Sequence, residues 1–305
     1  MAETGLRRRT ALGTATLLIG ANLPDLDVLA YVASPVHALW LRRGVTHGLL
    51  ALALLPLLLA AAMLVWDRLV RRRGGRAPPS PVVPSQVVLL SLIAVATHPV
   101  LDFMNTYGMR WLMPFSGRWF YADTLFIVDP WIWGLLAAGI LIARRKGAAS
   151  VAAARPRGNP ARWALLVLVV YIAAMAASNV AARGLVRRSL VAMGYAEPQR
   201  LMAAPRPLNP LGRWVVIEDG GVYRFGTFDW LRHPRFVLDQ FVIPRNPSGI
   251  ATATQAPTVR RFLSWARFPY YVTERRPGGD VVHIGDARYT IDPTDSWAAI
   301  TVPMR

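Results

Sequence analysis

Cysteine is absent from the 305 residues. That excludes disulfide frameworks, thiolate nucleophiles and cysteine zinc sites, and leaves nitrogen and oxygen as the donors for any metal. Charge is scarce too: charged residues make up 17% of the chain and hydrophobic ones 54%, with a mean hydropathy of +0.32. A chain this oily is not an ordinary soluble domain and reads as an integral membrane protein. Acids number 17 against 35 basic residues, and lysine is almost missing, Lys146 being the only one. The arginines cluster between apolar runs, and no basic stretch carries the aromatics or recognition motif of a nucleic-acid reader. The charge therefore speaks for membrane topology, and no nucleic-acid partner is expected.

Four runs approach the ~20 apolar residues needed to cross ~30 Å of hydrocarbon. They are about Val45 to Trp66, Gln86 to Asn105, Thr124 to Ala143 and Arg162 to Ala182. A fifth, Thr10 to Leu23, is shorter. With Arg7, Arg8 and Arg9 before it, this run also matches the outline of a signal peptide, but "LIGANLPDLD" holds no A-x-A cleavage site, so it is read as a retained helix. The basic segments "DRLVRRRGGR" and "RRKGAASVAAARPR" are separated by two crossings, and both are expected to be cytoplasmic. Thr106 to Asp123 then faces outward, as does everything after Ala182, although Arg183, Arg187 and Arg188 run against the rule.

After Leu190 the composition changes. "RWVVIEDGGVYRFGTF" reads as strand, Asp-Gly-Gly turn, strand, and "YYVTERRPGGDVVHIG" repeats the pattern. No solenoid-type repeat stands out, and the Pro-rich "RAPPSPVVP" reads as a linker. The expected fold is a polytopic α-helical membrane protein of about five membrane segments, residues 1–185, with a mostly β extracytoplasmic domain, residues 186–305.

With that topology the polar residues can be placed by depth. Asp25 and Asp27 follow the outward end of the first run, and His47 lies just inside the outer start of the next. His98 and Asp102 share one face in the outer third of the third, and Asp123 and Asp129 bracket the outer start of the fourth. Pro99 is expected to kink its helix. Taken singly, each group has a structural reading. H-x-x-x-D can be a hydrogen-bonded or proton-handling pair, Asp25 and Asp27 turn formers after Pro24, Asp123 an N-cap, and His47 an interfacial ring. His37, His233 and His283 are read as structural. Together the acids and histidines converge on one level of the membrane, where unpaired charge is costly unless a shared cation or a counter-charge neutralises it. Mixed His and Asp donors suit Zn²⁺, Mn²⁺ or Fe²⁺ more than Ca²⁺.

The ordered motifs "GANLPDLDVL", "RRGVTHGLL" and "ATHPVLDFMNTYGMRWLMPFSGRWFYADTLFIVDP", covering about residues 20 to 133, resemble the YdjM-like family of membrane-bound metal-dependent hydrolases. Carried over residue by residue, the resemblance puts the family's P-D-x-D acids on Asp25 and Asp27 and its R-G-x-T-H histidine on His47, with Arg43 before it. Its H-x-x-x-D pair falls on His98 and Asp102, and its downstream acids on Asp123 and Asp129. Members of this family usually open with a further apolar helix that begins with a Thr-His pair. "MAETGLRRRT" looks like the end of such a helix, so an upstream ligand histidine is expected. "GDARYTIDP", near Asp286, also resembles its family counterpart.

The expectation is thus an integral protein of the cell membrane, of bacterial inner-membrane type, that hydrolyses a phosphoester or ester of a lipid-linked substrate at the outer face. Asp25, Asp27, His47, His98 and Asp102 would be ligands of a divalent metal, Zn or Mn, and membrane lipids the surrounding partners. Asp123 or Asp129 would act as general base or orient a ligand histidine, and Arg43, Arg110 and Arg118 would hold an anionic group. A proton- or metal-coupled transporter using the same groups is the alternative, along with a membrane-anchored binding module. Thiol labelling tests the topology: in intact cells an impermeant reagent is expected to label Gly117→Cys and Gly220→Cys but not Gly74→Cys, and the reverse pattern overturns it.

Overall fold

The structure, a computed structural model, describes residues 1–32, 38, 41–71, 81–149, 159–245, 256–277, 279–294 and 296–303. His37, Arg72, Gly74, most of the Pro-rich linker and the basic stretch 150–158 lie outside the described residues. The chain divides into two compact units: Met1–Val28 with Arg42–Met175, and Leu29–Leu41 with Ala176–Arg305.

In the first unit α1, Gly13–Asn22, passes into a 3-10 helix over Leu23–Val32. Pro24 brings no N–H to the ladder, and the tighter helix begins beside it. The combined segment Gly13–Val32 is long and apolar enough to cross a membrane, so the short run expected from Thr10 to Leu23 extends further. Asp25 and Asp27 consequently lie within a helical segment and not in a turn. Helix α2, Leu49–Trp66, starts after the turn at Val45–Gly48, and α3, Pro84–Phe103, is assigned unbroken through Pro99.

Helix α4 runs Pro130–Ala149, six residues later than the apolar run at Thr124 suggests. Asp129 Oδ1 accepts the N–H groups of Trp131 (3.0 Å) and Ile132 (3.2 Å), and Pro130 stands at the first helical position, where a missing N–H costs nothing. The cap is therefore Asp129, not Asp123. Helix α5, Pro160–Ala192, is capped by Asn159, whose Oδ1 accepts Ala161 N–H at 3.0 Å. Its 33 residues make it ~50 Å long, beyond the ~30 Å of hydrocarbon.

Among the described residues four helical segments can cross a membrane by length and composition: Gly13–Val32, Leu49–Arg71, Pro84–Phe103 and Pro160–Ala192. Helix α4 ends in Arg144, Arg145 and Lys146 and is not among them, against the five or so expected. Leu18, Leu58, Val169 and Val170 point outward at about 60% exposure, as lipid-facing side chains do. Between helices in lipid, packing relies on close approach of small residues. A Cβ on Gly20 would lie 2.7 Å from the Cβ of Ala94, so α1 and α3 touch where both residues are small.

The second unit is built from two antiparallel sheets. Strands β1 (Arg200–Pro205), β2 (Gly212–Asp219), β3 (Val222–Asp229) and β4 (Phe236–Pro244) form a meander in chain order. β5 (Pro269–Glu274), β6 (Val281–Asp286) and β7 (Ala299–Pro303) form the other. Both expected hairpins are present. The β2–β3 turn uses Gly220 and Gly221 at φ of 57° and 84°, the left-handed pair of a type I′ turn. The last turns of α5 lay Ala182, Val186 and Leu190 on Leu201, Val215, Ile217 and Phe228 of the larger sheet. Arg213, fully buried, donates to Ser178 Oγ (3.0 Å) and Ala203 O (3.3 Å).

A helix missed by the sequence reading, α6 (Pro257–Trp265), sits before β5. Trp265 O accepts Arg288 Nη2 at 3.1 Å, and the Arg288 guanidinium lies 4.9 Å from the ring centroids of both Trp265 and Tyr289. Asp286 compensates that charge from 2.7 Å, both side chains being fully buried, and also accepts Arg267 N–H at 2.8 Å. Breaking a buried pair by removing one partner costs roughly 3–5 kcal/mol. Asp286→Ala is therefore expected to destabilise this unit by about that much in Trp-fluorescence unfolding, while Asp292→Ala, at an exposed site, stays within about 0.5 kcal/mol. Equal effects from the two would refute the assignment.

Candidate metal centre

The R-G-x-T-H segment forms a tight turn: His47 N–H and Gly48 N–H both donate to Gly44 O, at 3.0 and 2.9 Å. Leu49 N–H then bonds Trp111 O at 2.8 Å, and a Cβ on Gly48 would meet Met113 O at 2.5 Å. Only glycine lets the backbone at Trp111 and Met113 come this close. The turn thereby fixes His47, which is fully buried, at the head of α2.

His98 stands on α3, four residues before Asp102. Its Nδ1 lies 2.7 Å from Ala21 O. A carbonyl only accepts, so Nδ1 carries the proton, and in the neutral ring Nε2 is a bare lone pair. That Nε2 is 3.5 Å from Asp25 Oδ1 and 3.6 Å from Asp102 Oδ2. His47 is arranged the same way. Thr46 Oγ1 donates to Asp27 Oδ2 (3.1 Å) and so accepts from His47 Nδ1 (3.0 Å), with Asp27 Oδ2 itself 3.3 Å from that nitrogen. His47 Nε2 is left 3.3 Å from Asp102 Oδ2 and 4.0 Å from Asp25 Oδ1, and the two imidazole centroids are 5.4 Å apart.

Four donor atoms thus converge: Asp25 Oδ1, His47 Nε2, His98 Nε2 and Asp102 Oδ2. Asp25, His47 and His98 each offer an atom within 4.8 Å of the others. Zinc–ligand bonds of about 2.0–2.1 Å in a tetrahedron put neighbouring donors about 3.3–3.4 Å apart, and the four ring-nitrogen to carboxylate distances here are 3.3–4.0 Å. His47 Nε2 and Asp102 Oδ2 are buried and make no hydrogen bond. Asp25, His47 and His98 form a group that could hold a metal ion, and Asp102 Oδ2 lies 3.3 and 3.6 Å from the two ring nitrogens.

Arginines pack behind the donors. Arg43, 6% exposed, pairs with Asp102 Oδ1 at 2.8 Å and donates to Asn105 Oδ1 (2.8 Å) and Gly108 O (3.3 Å), with Tyr107 under its guanidinium. Its own N–H donates to Asp27 Oδ2 at 2.8 Å, in a left-handed conformation with φ of 50°. Arg42 lies 3.7 Å from Asp25, whose side chain is 42% exposed and forms the open edge of the cluster. Arg110 is buried, bonds Arg42 O at 3.2 Å and stacks 5.0 Å over Trp119. Burial pulls its guanidinium below the usual value, opposed by Tyr107, Asp27 and Tyr121.

The remaining sequence candidates sit apart from the donors. Arg118 is exposed over Phe120. Asp123 is fully buried with φ of 49°, between Ala122 and Thr124, whose N–H groups bond Phe103 O and Met104 O at the end of α3. Asp129 divides its oxygens between the α4 cap and Tyr171 Oη, 3.0 Å away. The carboxylate behind His47 is Asp27, not Asp123 or Asp129. His283 bonds Thr301 and Glu274 through its two nitrogens. Sequence reasoning missed the backbone and hydroxyl partners Ala21 and Thr46. Thr46 was signalled by its place in R-G-x-T-H, but the Ala21 carbonyl had no signal.

No curated protein and no solved structure matches the chain. A family model does, over residues 1–182, that of the YdjM inner membrane protein. The match takes in every donor of the cluster and more than half of the sequence, and the chain belongs to the YdjM inner membrane protein family.

Proposed function

We propose that this protein is a membrane-bound, metal-dependent hydrolase working at the outer face of the membrane on a phosphoester or ester of a lipid-linked substrate. The observation that carries the reading is the convergence of two imidazole Nε2 atoms and two carboxylate oxygens while both Nδ1 atoms are held from behind. Asp25, His47, His98 and Asp102 are the ligands, Asp27 orients His47, and Arg43 holds Asp102. Such outer-shell partners typically contribute 10–100-fold in metal affinity. When bound, a divalent ion, zinc or manganese, supplies a Lewis acid and an activated water.

The chain's own residues divide the remaining work. Asp25, at the open edge, presents Oδ1 to the rings and keeps Oδ2 for a proton. Arg42, 25% exposed, pairs with Asp25 at 3.7 Å, and Arg43 is held on Asp102. Asp129 is spent on its helix cap and Tyr171, so proton transfer falls to Asp25 and not to Asp129. The outer-face assignment and the extracytoplasmic C-terminal domain rest on the arginine asymmetry.

Elemental analysis tests the proposal. Detergent-purified protein is expected to hold a stoichiometric transition metal, lost in His98→Ala and Asp102→Ala and kept in His233→Ala. Asp27→Asn should weaken metal binding by about 10–100-fold without abolishing it. A folded wild type that takes up neither Zn²⁺ nor Mn²⁺ on reconstitution rules the reading out.

A further inference from the structure

A cavity of about 220 Å³ lies between the end of α3 and the start of α4. One end is formed by Asp102 and Asn105, and the other lining residues apart from Asp129 are all apolar. The polar ones have commitments: Asn105 Oδ1 accepts from Arg43 and from Tyr107 N–H, and Asp129 has its helix cap and Tyr171. Asp102 Oδ2, aimed at the ring nitrogens, is the oxygen without a hydrogen bond. A polar headgroup would find little to bond along these walls, and burying it there would cost free energy. Hydrocarbon meets no such penalty.

The mouth agrees. Trp133 and Ile127, at 68% and 47% exposure, flank it beside Leu101 of the membrane-crossing helix α3. Leu101, exposed on the membrane-crossing helix α3, faces lipid, so the cavity opens toward acyl chains. At ~30 Å³ for each water the space holds about seven, a stretch of chain and not a whole lipid.

We propose that this cavity receives the first part of the hydrocarbon chain of the substrate, so that the scissile ester is held beside Asp102 while the rest of the chain stays in the bilayer. The inference rests on the hydrolase reading for its reaction, but chain binding can be measured without turnover. The substrate class is then an ester whose reacting group sits close to a long acyl or prenyl chain. Leu125, buried at the floor, and Leu136, on α4, are the chain-contacting residues.

A phosphatidic acid carrying a diazirine near the head of its acyl chain is the probe, with full-length protein in detergent and peptide mapping of the cross-links. Labelling is expected in the segment 125–136, falling at least fivefold in Leu136→Trp, which fills the cavity. It is expected to persist in Leu141→Trp, an exposed position of the same helix outside the cavity lining. Labelling unchanged in Leu136→Trp, or spread along α4 without preference, overturns the proposal. Should Leu136→Trp not fold, the wild-type cross-link map decides alone. Metal content of the same samples separates the two readings: metal present with labelling absent removes the chain site, and labelling present in a metal-free wild type removes the metal centre.

Discussion

The Nδ1 proton of His98 is held by the carbonyl of Ala21, a bond made between two helices. It forms because Gly20 and Ala94 bring α1 and α3 close, at a contact that has no room for a larger side chain. The bond turns Nε2 of the ring toward Asp25 and Asp102 and strips it of its proton in the neutral form. Helix packing in the membrane unit and donor chemistry in the cluster are therefore the same constraint. Small residues at the crossing set the tautomer of the histidine.

Much of this was legible. Proline, aspartate and histidine at irregular places in oily runs announce a cost in lipid that something must offset, and Asp25, Asp27, His47, His98 and Asp102 do come together, while Asp129 caps α4. The reading erred where local chemistry outweighs hydropathy. Thr124 to Phe126 is as apolar as the helix that follows, yet Asp129 and Pro130 together fix the start of α4. Arg43 looked like an anion receptor because arginines at a membrane face usually are, but its left-handed backbone turns the side chain inward to Asp102 and Asn105. What could not be read was the backbone's part, since the carbonyl of Ala21 carries no sequence signature.

The β unit shows the same division. The two hairpins were visible because Asp-Gly-Gly and Pro-Gly-Gly-Asp specify turns. Strands β1, β4 and β7 lack such punctuation, and α6 is a short amphipathic helix in a stretch read as β. Asp286 was singled out by resemblance alone. Its role appears only in three dimensions, where it accepts the charge of a buried arginine held against two aromatic rings.

The case for an ion also changes in kind. From sequence it rests on uncompensated carboxylates in lipid, and that argument weakens once Arg43 is found on Asp102 and Arg42 near Asp25. Geometry replaces it. The ring nitrogens and carboxylates lie within both ion-pair and ligand distance of one another. His47 Nε2 lies 3.3 Å from Asp102 Oδ2, and neither buried atom makes a hydrogen bond. With His47 neutral, two lone pairs at that distance repel and burial denies them water, and a shared cation relieves the repulsion. Arg43 holds the second oxygen of Asp102 and leaves the first turned toward the rings. The buried Arg43 pair and the two histidine rings share one carboxylate, each using one of its oxygens.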